Sequence, residues 1–201
     1  TYTFTANGRE CTVRIKDGTG PTGVTVNGEE AAYGPADPGN AGWSFDAASR
    51  VVSLFGAGPF TLAGVNTMGG VSMHVPEGVT NTVTFSSLTL LATGGGQCAF
   101  DLGTNAVVSL FLAGTNMLAS GRLRAGIEVA AGRTLSITNA PGHAAATLTA
   151  NGGDRGAGIG GGNKGHGGTV TINGGTVTAI GGEYGTGIGG VVVDSGRFDW
   201  S

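Results

Sequence analysis

Asp154 and Glu183 stand twenty-nine residues apart in two nearly identical glycine-rich stretches, GGDRGAGIGG at 152–161 and GGEYGTGIGG at 181–190. If the repeat stacks them, two carboxylates about 5 Å apart repel by roughly 1 kcal/mol in water, and something should offset that. Aligning on Ile127, Ile159 and Ile188 puts Arg122 in the same column, one coil before Asp154. An Arg122/Asp154 ion pair with Glu183 turned to solvent is one offset. Calcium held by Asp154 and Glu183, helped by Asn151, Asn163 or backbone carbonyls, is the other, since this ion wants six to eight oxygens. The lone His74, His143 and His166 lack the Cys/His spacing of a zinc site.

Next to these acids, Arg155, Lys164, His166 and Tyr184 are the candidate ligand-binding residues. A polar aromatic ring can stack on a pyranose, and the cations and amides nearby can hold its hydroxyls. Tyr184 occupies the position that Arg155 holds one coil earlier, which sets a flat ring beside a guanidinium. An enzymatic use is less favoured. Paired carboxylates at about 5 to 5.5 Å suit a retaining glycosidase, but an outward column on a regular coil is too exposed to raise an acid's pKa. Lyase chemistry on acidic sugars would want an Asp cluster, and none accompanies Arg155 and Lys164. The expectation is a protein without catalysis.

These residues must be positioned by a repeat. Thr147-Leu148-Thr149-Ala150 aligns with Thr176-Val177-Thr178-Ala179 at the same offset, so strand-like and glycine-rich positions recur together. Upstream, Phe100 and Leu102 align with Ile127 and Val129, and Val108 and Leu110 with Leu135 and Ile137, at twenty-seven. Val52, Phe60 and Met73 open a further set of alternating segments, and Val191 continues the column of Val170. Short period-two runs rich in Val, Ile and Thr, punctuated by Gly and Asn, predict an all-β chain. Three such segments per coil predict a right-handed parallel β-helix, a three-sided solenoid. Leu135 should then lie under Val170 and Leu148 under Val177.

Composition agrees. With 42 Gly and 11% charged residues among 201, the chain is neither an ordinary globular domain nor disordered. GxGxxG occurs at 156–161 and again at 185–190, but strand sequence follows where a dinucleotide site needs a helix. The Thr-x-Thr pair at 147–149 over 176–178 is too short a ladder to read as an ice-binding array. A net charge of −3 with dispersed basic residues argues against nucleic acid. No apolar run approaches the roughly 20 residues of a membrane span.

Residues 1–45 lack the coil register and are expected to cap the solenoid, with Trp43 and Phe45 as the plug, because a bare solenoid end exposes core and strand edges. Residues 46–201 are expected to form the coils, with Phe198 and Trp200 enlarging the last layer and more coils following. Cys11 and Cys98 stand either as a disulfide or as two separate thiols.

The words TLSITN, LTANGGDRGAGIGGG, GGTVTINGGTVTAIGG and GTGIGG, with GWSFDAASRVVSLFG upstream, resemble the glycine-rich repeats of large Gram-positive surface proteins. The chain is similar over about Gly42 to Gly190 to a carbohydrate-binding right-handed β-helix family. The resemblance implies an extracellular, secreted or cell-surface module of a bacterial adhesin that binds a polysaccharide or host glycan, with calcium as the implied cofactor. Acidic residues are few here, so only Asp154 and Glu183 carry over as cation ligands. The alternatives are a purely structural stalk or spacer and, behind it, a polysaccharide lyase or glycoside hydrolase.

Overall fold

The computed structural model describes residues 2–6, 9–13, 22–35, 38–67, 70–189 and 191–194. Ahead of the coils come an antiparallel hairpin of β1 (Tyr2–Ala6) and β2 (Arg9–Val13), then β3 (Val24–Val26) and β4 (Glu29–Glu30). A 3-10 turn at Ala31–Tyr33 and a four-residue helix at Pro38–Ala41 lead into β5 (Trp43–Asp46). From there the chain winds through about five coils of a parallel β-helix.

Coil one holds β6 (Val51–Leu54) and β7 (Phe60–Asn66), and coil two β8 (Ser72–Val75) and the long β9 (Thr80–Ala92). Coil three holds β10 (Phe100–Leu102), β11 (Val107–Ala113) and β12 (Thr115–Ser120), and coil four β13 (Ile127–Glu128), β14 (Thr134–Asn139) and β15 (Thr147–Asn151). Coil five holds β16 (Ile159–Gly160), β17 (Thr169–Ile172) and β18 (Thr176–Ile180), followed by β19 (Ile188–Gly189) and β20 (Val191–Asp194).

Like positions stack to give three ladders. The first runs β6-β8-β10-β13-β16-β19. The second joins the front of β9 to β11, β14, β17 and β20, and the third joins its back to β12, β15 and β18. Because β9 runs unbroken through the corner that separates the last two, these form one hydrogen-bonded sheet.

The inward columns are apolar, as the alternation requires. Met73, Phe100, Ile127 and Ile159 stack on the first ladder and Val108, Leu135 and Val170 on the second, all buried. Leu148 lies against Val177 on the third. Phe85 meets the Phe100 ring edge-on at 5.2 Å between centroids and 87° between planes. Asparagines at the corners satisfy carbonyls that a turn leaves unpaired: Asn116 donates to Ala113 and Thr147 and accepts from the Leu88 amide, while Asn81 donates to Leu54 and Gly56.

Two registers differ from the sequence expectation. Met73 pairs with Val52, so it opens the next coil instead of closing the first. Val192, not Val191, pairs with Val170, a slip of one residue that exchanges the two faces of the strand. The absent 163–166 loop shortens the approach to β20, so counting back from its apolar residues misplaces the register.

The open edge of the first coil is covered by strands of opposite direction. β5 pairs antiparallel with β6 and β3 with β7, and Trp43 and Phe45 are buried against the core. Thus β5 itself crosses the 45/46 boundary drawn from sequence. Asp46 then turns the chain: its carboxylate accepts the Ala48 amide and the Ser49 hydroxyl, which hold it below the usual carboxylate range. Phe198 and Trp200 lie outside the described residues. Among the described residues no helix is long and apolar enough to cross a membrane.

Candidate functional site

The corner that precedes each first-ladder strand is built from stacked glycines. A Cβ on Gly121 would strike the carbonyl of Gly94, one on Gly153 that of Gly121, and one on Gly182 that of Gly153. Backbone therefore lies on backbone from coil to coil, and only glycine fits. The residues that follow these glycines form outward columns, one of Arg122, Asp154 and Glu183, the next of Leu123, Arg155 and Tyr184.

In the first column Arg122 Nε lies 3.1 Å from Asp154 Oδ2 across one coil step. Arg155 Nε stands 3.9 Å from the other Asp154 oxygen. Glu183 is exposed. Asp154 is thus flanked by two guanidiniums, which offset the expected repulsion. Among the described residues no group of three or more His, Cys, Asp or Glu side chains is placed to hold a metal ion.

In the second column Arg155 sits with its guanidinium carbon 5.7 Å from the Tyr184 ring centroid, a cation–π contact. The ring is 75% exposed. Both Arg155 and Lys164 have left-handed backbone, at φ 63° and 58°, uncommon for non-glycine residues. Arg155, Lys164 and Tyr184 line a groove of about 190 Å³ with the glycines at 161, 162, 165, 185 and 189 as its floor. His166 is exposed on the same loop, its carbonyl accepting the Ala131 amide, but it does not line the groove. Of the four ligand-binding residues read from sequence, the fold therefore brings three together.

A larger charged cluster went unread. His74, Asp101 and Glu128 share one outward column of the first ladder, at steps of twenty-seven. Asp101 accepts from Arg133 Nη1 at 2.9 Å, lies 3.0 Å from His74 Nδ1, and has Arg124 Nη2 at 3.6 Å. Arg124 Nε lies 2.8 Å from Glu128 Oε2. The glycine loop of the fifth coil folds over Glu128, which is only 8% exposed, with Gly162 beside its carboxylate. Burial outweighs the pull of Arg124 and lifts the Glu128 carboxyl above its usual range. Arg124 loses solvation too, but Glu128, Cys98 and Asp101 leave its pKa raised.

Cys98 lies beneath this cluster as a free thiol, its sulfur 3.3 Å from both the Phe100 and the Ala125 carbonyls, which share its one proton as acceptors. Burial first, then the charges of Glu128 and Asp101, push it up to about 12. The Cys11 side chain lies outside the described residues. Part of the signal was in the sequence: Asp101 and Glu128 directly follow Phe100 and Ile127, which align at twenty-seven, while His74 follows Met73, which the sequence reading placed in the coil below. A cavity of about 350 Å³ opens beside it, lined by His74, Asp101, Arg124, Gln97 and Cys98 among others.

Compared with protein-family models, curated proteins and solved structures, the chain matches none. Its function therefore rests on its own geometry.

Proposed function

We propose that the chain is a non-catalytic, extracellular saccharide-binding module of a bacterial surface protein, and that the Arg155/Lys164/Tyr184 groove is its binding site. The observation that carries this reading is the Tyr184 ring, 75% exposed yet backed by a guanidinium and set at the edge of a groove that holds a second cation. A ring in that position offers a flat apolar face to the C–H side of a pyranose. Arg155, Lys164 and the glycine backbone offer hydrogen bonds to its hydroxyls. The resemblance of the glycine-rich words to adhesin repeats supports the same reading.

The test is a glycan array probed with the protein and its Tyr184→Ala variant. Binding that the variant loses, with an unchanged β-sheet spectrum, supports the groove. Binding retained in full by the variant overturns it. The regular, continuously hydrogen-bonded ladders favour a second reading, a rigid spacer, which would stand if no glycan binds while the neighbouring domains of the parent protein act alone.

A further inference from the structure

We propose that the cavity on the outer face of the first ladder is a second binding site, one for an oxyanion group, a carboxylate or a sulfate, clasped between Arg124 and His74. The outward column of a solenoid ladder is ordinarily solvated. Here the glycine loop that ends in Gly96 and Gln97 and the turn at Ser49 and Val51 raise walls beside it and leave an open cavity of about 350 Å³. The acid lining the cavity, Asp101, is already taken by Arg133 and His74 and approached by Arg124. Gln97 packs its amide oxygen onto Gly70 and Gly94. The other polar side chains on its wall include the Arg124 guanidinium, the Ser72 hydroxyl and the Gln97 amide, whereas the Ser49 hydroxyl already donates to Asp46. A cavity that sets a guanidinium beside an imidazole suits a ligand that brings acceptors and negative charge.

The imidazole is prepared for this. Its Nδ1 is bound to Asp101, which orients the ring, and Nε2 donates to an oxyanion in the imidazolium form, the form in which both ring nitrogens carry protons. Glu128 Oε2 lies 2.8 Å from Arg124 Nε on the buried side of the guanidinium, a charge contact without hydrogen-bond geometry. The constellation uses none of the residues of the Tyr184 groove, and the two sites stand or fall separately.

The test is titration of the protein at low ionic strength with sodium sulfate and, separately, with sodium acetate, followed by calorimetry and by the His74 ring resonances. A saturable shift of His74 with either anion is expected, and which anion saturates identifies the group recognised. Arg124→Gln should weaken binding at least about tenfold, the scale of one lost charge-assisted hydrogen bond. Because that variant leaves Glu128 without its partner, His74→Gln, at a 34% exposed side chain, serves as the second variant and should also weaken binding. Tyr184→Ala should leave it unchanged. Shifts that grow with ionic strength without saturating, or an affinity that folded His74→Gln and Arg124→Gln both retain, would overturn the proposal.

Discussion

Arg122 and Asp154, thirty-two residues apart, meet at 3.1 Å across a single coil step. The pair is solvent-facing, with the arginine side chain 67% exposed, so its net contribution is small. It nevertheless engages Oδ2 of the carboxylate that a calcium site in this column would need, and brings a positive charge beside it. The melting temperature is therefore expected to be the same in millimolar calcium and in EDTA, and Asp154→Asn to cost less than about 1 kcal/mol. A calcium-dependent rise lost in the Asp154→Asn/Glu183→Gln double variant would reverse this.

The Glu128 carboxyl gives a pH dependence whose sign follows from its burial. Its folded pKa lies above the unfolded one, so between the two values the folded chain holds a proton that the unfolded chain has released. Stability then falls as pH rises through that window, just above the ordinary glutamate range. Urea unfolding at a series of pH values should show that slope, and Glu128→Gln should flatten it. The slope is the readout, because the variant also deprives Arg124 of its ion pair and lowers stability throughout.

Cys98 should be inert in the folded protein. A buried thiol pushed up to about 12 presents almost no thiolate at pH 8. Alkylation by iodoacetamide, mapped to the Cys98 peptide by mass spectrometry, is expected to be slow in buffer and fast in urea. Equal rates would mean that the cluster above it opens readily.

The stacked corner glycines should tolerate no side chain. A methyl on Gly153 or Gly182 meets backbone of the preceding coil, where nothing can rotate away, so Gly153→Ala and Gly182→Ala are each expected to cost on the order of 1–3 kcal/mol or more in thermal unfolding. Gly95, with nothing within 4 Å of such a methyl, is the control, and Gly95→Ala should be nearly neutral. A similar loss at all three would remove the packing explanation.

The coil architecture was legible because one ladder position carries the same kind of residue on every turn. Ile127, Ile159 and Ile188 announce the first ladder, and the Thr147 to Ala150 words announce the third. Legibility failed where coil length changes. Val52 to Met73 is a step of twenty-one and carries no shared word, so Met73 reads as part of the coil below it. The pairing of Arg155 with Tyr184 followed from their common column, and so did that of Arg122 with Asp154. The Asp101 cluster did not emerge, because His74, Asp101 and Glu128 differ in type although they share a column. Arg124 and Arg133 reach it from corner segments whose direction a repeat pattern does not reveal.

The ladders also set how the chain responds to a pull. Each coil advances the solenoid by one strand spacing, about 4.8 Å, yet holds some twenty-seven residues, as the pairing of Phe100 with Ile127 shows. Drawn out straight at roughly 3.4 Å per residue, one coil releases on the order of 90 Å of thread. Tension at a terminus must peel the ladders one winding at a time, so the fold is a spool: a short body that pays out many times its own height before the tether goes taut.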